Sequence, residues 1–131
     1  MYLLDTNIYV AFTKGNASVM KLVNRHFLEC YLSTVVLAEI YAGVYCSQQR
    51  QRNLEILETF LQLVPVIDFD EAAALEFGKI QGQLRRIGKP SQPNDVLIAA
   101  VAKARGDVLV TANTRHFENI EGLLLGDWTN G

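Results

Sequence analysis

Short apolar segments that resemble β-strands alternate with longer segments of helical periodicity along most of the chain. The strand-like segments are YLL (2–4), CYLS (30–33), PVIDF (65–69) and DVLVT (107–111), and LLL (123–125) can add a fifth. Helices are predicted between them, over residues 17–28, 33–45, 50–64, 70–88 and 95–105. Such alternation is typical of βαβ units. It predicts a three-layer α/β domain with a central, mostly parallel sheet of four to five short strands flanked by helices.

The ends of the predicted helices are marked by residues that cap helices. Asn16, Ser33 or Thr34, Asp70 and Asn94 are the predicted N-caps. Gly106 is predicted to end the last helix. The segment GKPSQPN (88–94) contains a glycine and two prolines, so it is predicted to be a loop.

The composition fits a single domain that covers residues 1–131. Half of the residues are apolar and a fifth are charged, as in ordinary globular proteins. No apolar run approaches the roughly 20 residues that span a bilayer, and the first residues lack the features of a signal peptide. Cys30 and Cys46 are too few for a disulfide framework and are expected to be reduced thiols. These features favour a cytoplasmic protein.

The charged residues are distributed unevenly, although the formal net charge is only −2. Residues 55–76 contain six acids, and Lys79 is the first base after them. Residues 85–115 contain six bases against two acids. This asymmetry could create a local positive field on an acidic protein. Solvated helix faces explain it equally well.

Three acids lie in unusually apolar sequence. Asp5 directly follows the first strand, Glu39 lies within VVLAEIYAGV, and Asp95 is in the first turn of the helix that follows the proline-rich loop. Each has an ordinary explanation: a strand end, a half-exposed helix position and a favourable interaction with a helix N-terminus. However, the fold can bring all three to the same edge of the sheet, where the carboxyl ends of parallel strands meet and ligands bind.

Three carboxylates at one place would repel one another unless a cation neutralised them. Ligands that are all oxygen favour a hard ion, Mg²⁺ or its substitute Mn²⁺. Zinc is not expected, because neither His26 nor His116 has a second histidine at a metal-binding spacing. His26 is therefore predicted to lie on a helix face and His116 in a loop.

Four motifs occur in order along the chain: LLDTN, LAEIYAGV, PNDVLIAAVAKARG and LVTANTRHF. Together they resemble the motifs of the PIN-domain family, and more narrowly those of VapC-type ribonuclease toxins of prokaryotic toxin–antitoxin pairs, and the similarity extends to GLLLGDW. The resemblance implies a small α/β nuclease whose acids hold Mg²⁺ and cut RNA. By position, Asp5, Glu39 and Asp95 match the three acids, and Thr111 matches a hydroxyl residue after the last core strand. Asn113 stands where many PIN domains have a fourth acid, which leaves a second metal in doubt.

The resemblance also implies a mechanism. A metal held by Asp5 and Asp95, with Glu39 bound directly or through water, would activate a water molecule and leave a 5′-phosphate and a 3′-hydroxyl. Asn113 would assist catalysis. Thr6 and Thr111 would orient the acids. Asn7 could cap a helix or contact the backbone.

The expected partners follow from the same resemblance. Arg85, Arg86, Lys89 and Arg115 are candidate phosphate contacts for a structured RNA such as a tRNA loop. A small VapB-like antitoxin would block the acids, often with an arginine, and the toxin would form a homodimer. Apolar side chains for these contacts, or equally for the core, are Leu54, Leu57, Phe60 and Leu61.

Two other functions are consistent with parts of the sequence. A phosphatase with Asp5 as its nucleophile would need a second acid two residues later, where this chain has Asn7. A catalytically weak PIN-fold module that binds RNA or protein would be consistent with Asn113, but the three intact acids favour the enzyme.

Overall fold

The computed structural model describes residues 1–130 and contains one five-stranded sheet. The strands are β1 (Tyr2–Leu4), β2 (Cys30–Ser33), β3 (Val66–Ile67), β4 (Val108–Val110) and β5 (Leu124–Gly126). They lie in the order β3-β2-β1-β4-β5, and every pair of neighbours is parallel. The prediction of a mostly parallel sheet with four to five short strands is therefore confirmed.

Within the described residues, six α-helices flank the sheet and complete the three layers. They are α1 (Thr6–Thr13), α2 (Ala17–His26), α3 (Thr34–Tyr45), α4 (Arg50–Leu63), α5 (Glu71–Arg86) and α6 (Pro93–Arg105). Two short 3-10 turns follow α2 and β4, at Phe27–Glu29 and Thr114–His116. Within residues 1–130, none of these helices combines the length and apolarity that a membrane span requires.

Most of the predicted helix ends are confirmed. Asn16 Oδ1 accepts from the backbone N–H of Val19 at 3.0 Å, and Asp70 Oδ1 accepts from that of Ala73 at 2.9 Å. Ser33 caps α3 through its hydroxyl oxygen. Gly106 ends α6 with a φ of 69°, in the left-handed region that favours glycine.

The structure corrects the prediction that Asn94 caps the last helix. The helix begins two residues earlier than predicted, at Pro93, and Gln92 is the cap. Proline is well suited to the first helical position because the N–H that it lacks would have no partner within the helix there. The side chain of Asn94 therefore does not cap α6.

Other corrections concern the bounds of elements. Helix α1 was not predicted, because its sequence TNIYVAFT is rich in β-branched and aromatic residues that favour strands. The strand predicted over 65–69 is only Val66–Ile67, and the helix predicted over 17–28 ends at His26 in a 3-10 turn. The strand predicted over 107–111 is Val108–Val110.

The order of the strands determines where a ligand can bind. The chain runs from β1 outward through β2 and β3, then crosses to the other side of β1 to form β4 and β5. The direction of winding changes between β1 and β4, which pair directly. In open α/β sheets, ligands bind in the crevice at the carboxyl ends of the strands where this change occurs.

The opposite edge of the sheet, at the start of β4, carries a polar network. Asp107 accepts hydrogen bonds from the Tyr31 hydroxyl at 2.8 Å and from Arg105 Nε at 3.0 Å, and the Met1 ammonium lies 3.2 Å from it. Burial raises the pKa of Asp107, but these donors outweigh burial and hold that pKa below its ordinary value. The network therefore stabilises the folded chain.

Candidate active site

The three predicted acids line one cleft at the carboxyl edge of the sheet. Asp5 follows β1, Glu39 lies on α3, and Asp95 lies in the first turn of α6. The cleft has a volume of about 450 Å³, and its other lining residues are Asn7, Gln92, Pro93, Asn94, Asn113 and His116. It lies where the winding of the sheet changes direction, as the general rule for such sheets predicts.

Asp5 is the most buried of the three acids, with 6% of its surface exposed. Its Oδ1 accepts from the backbone N–H of Thr6 at 2.7 Å, so the side chain also caps α1. Its Oδ2 accepts from the Thr111 hydroxyl at 2.8 Å and from Asn7 Nδ2 at 3.3 Å. These donors hold the carboxylate in one orientation.

The pKa of Asp5 lies above its ordinary value. Burial is the largest cause, and the hydrogen bonds from Thr111 and Thr6 oppose it in part. The charges of Glu39 and Asp95 raise the pKa further. The charges of Glu39 and Asp95 thus disfavour the ionisation of Asp5, which is the situation that a bound cation would relieve.

Glu39 is half-buried and is held by two residues of the cleft. The Thr6 hydroxyl donates to Glu39 Oε1 at 2.6 Å. Asn94 Nδ2 lies 3.5 Å from Glu39 Oε2, at the limit of hydrogen-bonding distance. Thr6 therefore connects two of the acids: its backbone N–H binds Asp5 and its hydroxyl binds Glu39.

Asp95 is half-buried and contacts a histidine. His116 Nδ1 lies 3.3 Å from Asp95 Oδ2. Burial raises the pKa of Asp95; His116 lowers it, and the charge of Glu39 raises it. The sequence prediction placed His116 only in a loop, so its part in the cleft was missed. The signal available was its position in the segment that follows β4, three residues after Asn113.

Asn7 and Thr111 join the ends of β1 and β4. Asn7 Nδ2 donates to the Thr111 hydroxyl at 3.2 Å, and Asn7 Oδ1 accepts from the backbone N–H of Ala112 at 2.9 Å. Of the two roles considered for Asn7, the backbone contact is the one observed. The backbone N–H of Asn113 donates to the Thr111 hydroxyl at 3.1 Å, and the exposed side chain of Asn113 lines the cleft.

The four predicted RNA contacts are all exposed. Arg85 and Arg86 lie in the last turn of α5, Lys89 lies in the loop after it, and Arg115 lies in the second 3-10 turn. Arg115 also lines an adjoining cleft of about 370 Å³ that shares Gln92, Asp95 and His116 with the first. Within residues 1–130, none of the four forms an ion pair with a carboxylate.

The apolar side chains considered for partner contacts belong largely to the core. Leu57 and Phe60 are buried, and Leu54 and Leu61 are packed against the core. An apolar groove of about 480 Å³ is instead present between α1, α2 and α4. Phe27 and Leu63 on its rim are 40% and 64% exposed.

The donor groups of the cleft suit a hard divalent cation. Carboxylate and amide oxygens line it, and such ligands favour Mg²⁺ or Mn²⁺ over zinc. Within residues 1–130, no three His, Cys, Asp or Glu side chains form a group that could hold a metal as they stand. Thr6 and Thr111 hold two of the carboxylates, so we expect the three acids to move closer together, with these hydrogen bonds kept, when a cation binds.

Comparison with known proteins gives the family. Residues 2–123 match the PIN domain. The chain is 40% identical to the tRNA(fMet)-specific endonuclease VapC of Shigella flexneri over 129 residues, which cover 98% of each chain. It is also similar to a chain of DNA-bound VapBC from Salmonella typhimurium, with a TM-score of 0.92, 35% identity and 97% coverage of each chain. A chain of VapBC2 from Rickettsia felis bound to a promoter DNA fragment gives a TM-score of 0.91 and 33% identity, with 97% of this chain and 98% of that chain covered.

These similarities extend over nearly the full length and include the segments that carry all three acids. The chain belongs to the PIN-domain family and, within it, to the VapC ribonucleases, the toxins of toxin–antitoxin pairs.

Proposed function

We propose that this VapC ribonuclease is a Mg²⁺-dependent endoribonuclease that cleaves a tRNA, with Mn²⁺ as a possible substitute. The observation that carries the proposal is the convergence of Asp5, Glu39 and Asp95 on one cleft, where the charge of Glu39 raises the pKa of both aspartates and that of Asp95 raises the pKa of Asp5. PIN-domain VapC nucleases generally depend on a metal. The identity of the metal as Mg²⁺ rests on the oxygen ligands of this cleft.

Asp5 and Asp95 would hold the cation, and Glu39 would bind it directly or through water. When bound, the cation lowers the pKa of a water molecule and neutralises charge on the phosphoryl oxygens. The protein contributes orientation. Thr111 holds the carboxylate of Asp5 and Thr6 holds that of Glu39, so neither acid depends on the substrate for its position. Asn113 lines the same cleft and can offer an amide to the RNA or to water.

A tRNA is the proposed substrate for two reasons. The relatives from Shigella flexneri and Salmonella typhimurium are named as tRNA(fMet)-specific endonucleases. In addition, Arg115 lines the cleft that adjoins the acids, and Arg85, Arg86 and Lys89 add unpaired positive charge. Such cations bind phosphates, whereas unstacked bases in a tRNA loop give enzymes access for specific cleavage.

We also propose that a small VapB-like antitoxin inhibits the enzyme in a prokaryotic cytoplasm. Solved relatives are VapBC complexes, some bound to DNA. The apolar groove between α1, α2 and α4 offers a surface for a helix of such a partner, since amphipathic helices place their apolar side chains in grooves of this kind. A homodimer is the proposed oligomeric state, and light scattering of the purified chain tests it.

The central experiment compares wild type with Asp95→Ala. The wild type should cleave initiator tRNA when Mg²⁺ is present and stop when a chelator removes the metal. Asp95→Ala should lose cleavage while its circular dichroism and melting temperature stay close to those of the wild type. Undiminished Mg²⁺-dependent cleavage by the variant would refute the assignment of the site.

Two further measurements separate the toxin from a module that only binds. Calorimetry should detect binding of Mg²⁺ or Mn²⁺ that is weaker in Asp5→Asn. Expression of the chain alone should arrest growth, and co-expression with the neighbouring reading frame should relieve the arrest. Metal binding without any cleavage of RNA would favour the catalytically weak module.

A further inference from the structure

His116 lies in the cleft although the chemistry assigned to the acids does not require it. Its Nδ1 lies 3.3 Å from Asp95 Oδ2, and it lines both the cleft of the acids and the adjoining cleft that contains Arg115. Among the described residues that line the cleft of the acids, it is the one side chain that can carry a positive charge. The roles given to the acids therefore leave the contact between His116 and Asp95 unexplained.

The backbone that carries His116 is fixed on both sides. The backbone N–H of His116 donates to the Asn113 carbonyl at 3.0 Å, and that of Phe117 donates to the Thr114 carbonyl at 3.0 Å. The side chain of Phe117 is 1% exposed and anchors the turn in the core. The backbone that carries His116 is thus held in place beside Asp95, and the His116 side chain itself is 56% exposed.

The segment after the turn is also tied down, by a glutamine of α5. Gln83 Nε2 donates to the Asn119 carbonyl at 2.9 Å, and Gln83 Oε1 accepts from the backbone N–H of Glu121 at 3.1 Å. This pair of hydrogen bonds connects the loop after β4 to a helix that packs against α6. Since Asp95 lies on α6, the segments that carry His116 and Asp95 are both held by α5.

We propose that His116 is a positioning residue for Asp95: it occupies one carboxylate oxygen and leaves the other available to a divalent cation. The proposal rests on the metal-dependent function proposed above. A carboxylate only accepts hydrogen bonds, so the contact needs an Nδ1–H, which one neutral tautomer and the charged ring both carry. Removal of a residue that orients a metal ligand in this way commonly weakens metal binding by about 10- to 100-fold.

Isosteric variants distinguish this role from a contact with RNA. The amide nitrogen of asparagine takes the place of imidazole Nδ1, and that of glutamine takes the place of Nε2. We therefore expect His116→Asn to bind Mn²⁺ with an affinity within about threefold of the wild type. His116→Gln and His116→Ala should bind it roughly tenfold more weakly or worse.

The measurement is Mn²⁺ titration of the purified chain without RNA, followed by paramagnetic resonance or calorimetry. His26→Asn is the matched control, because it removes the other histidine, which contacts Tyr2 at the start of β1 and lies at the opposite edge of the sheet. It should bind Mn²⁺ as the wild type does. Thermal melts of all four variants exclude unfolding as the cause of weak binding.

Cleavage kinetics provide the second readout. A positioning role predicts that His116→Ala lowers kcat at limiting Mn²⁺ and leaves KM for RNA within about twofold, with recovery at higher Mn²⁺. Wild-type Mn²⁺ affinity in His116→Ala would overturn the inference, as would loss in His116→Asn with retention in His116→Gln. If the wild type cleaves RNA but the His116 variants give either of these overturning results, the inference about His116 is refuted and the proposed function stands. A wild type that binds Mn²⁺ with the expected dependence on His116 but cleaves no RNA refutes the proposed function alone.

Discussion

The Thr111 hydroxyl donates a 2.8 Å hydrogen bond to Asp5 Oδ2 across the ends of two neighbouring strands. The donor is fully buried and the acceptor nearly so. Hydrogen bonds to buried charged groups are among the stronger ones in proteins. This bond both holds the fold together at the change in winding and orients a proposed metal ligand.

Replacement of Thr111 by valine should therefore affect stability and activity together. The change keeps the shape of the side chain and removes the donor, which should lower the free energy of unfolding by about 1.5–3 kcal/mol. Cleavage of RNA should fall by about 10- to 100-fold. Urea denaturation and single-turnover cleavage measure the two effects. Thr111→Ser keeps the hydroxyl and should retain most of the activity; equal losses in both variants would contradict the argument.

Replacement of Asp5 by asparagine should abolish cleavage and yet stabilise the fold at neutral pH in the absence of metal. Burial raises the pKa of Asp5 above its ordinary value of 3.8, and the charges of Glu39 and Asp95 add to the effect. A folded chain with a raised pKa binds the proton more tightly than the unfolded chain does. The contribution of this acid to stability is therefore present below pH 3.8 and is lost as the pH rises through the folded pKa.

The advantage of Asp5→Asn in free energy of unfolding should thus grow as the pH rises from about 4 to 7. Urea titrations at several pH values measure it. Saturating Mg²⁺ should reduce the advantage, because the ion stabilises only a protein that binds it. An advantage that does not change with pH would count against a raised pKa for Asp5.

Asp107 should show the opposite dependence on pH. Burial raises its pKa, but the donors Tyr31, the N-terminal ammonium and Arg105 outweigh this, so the pKa is lowered. The stability that Asp107 contributes is therefore present above its ordinary pKa of 3.8 and is lost as the pH falls through the lower folded value. Asp107→Asn should cost about 1–3 kcal/mol at pH 7, as measured by urea denaturation, and the cost should shrink in acid.

Asp107 also allows a test of whether changes at the amino ends of the strands affect cleavage at their carboxyl ends. It precedes β4, whereas the cleft of the acids lies beyond the other end of that strand. Cleavage by Asp107→Asn should match that of the wild type at a temperature where both are folded. Glu118→Gln, a change at an exposed acid, is the control for a general effect of charge. A selective loss of cleavage in Asp107→Asn would show that the edges are coupled.

Arg115 should contribute to affinity for RNA through phosphate. Arg115→Gln is expected to raise KM about 3- to 30-fold and to reduce the slope of log affinity against log salt by about 0.7 to 1, with kcat changed less. Binding of RNA at several salt concentrations measures the slope. Arg25→Gln removes an exposed arginine just before β2, at the opposite edge, and should leave the slope unchanged. Equal slopes for Arg115→Gln and the wild type would remove Arg115 from the RNA surface.

The convergence of the three acids was predictable because each lies within or beside an apolar segment, where an ionised carboxylate is costly. The strand order then brings Asp5, Glu39 and Asp95 to one cleft, as the βαβ pattern indicated. Asn94 and His116 were not predictable in their contacts. Polar residues are common in loops, and their partners, Glu39 and Asp95, are distant in sequence.

Local sequence preferences gave no helix at α1 and too late a start for α6, because at both places tertiary packing or position in the helix outweighs the preference of single residues. In α1, β-branched and aromatic residues favour a strand, but Asp5 caps the segment and Ile8 and Tyr9 are buried, so tertiary packing determines a helix. At the start of α6, the rule that prolines exclude helices fails because Pro93 is at the first position, where it is tolerated.

Because the cleft forms where β1 meets β4, its parts leave the ribosome at widely separated times. A nascent polypeptide that has emerged only as far as α6 carries the three acids, but Asp5 has no Thr111 to orient it. During synthesis the cleft can therefore be completed only after β4 has followed α6 out of the ribosome.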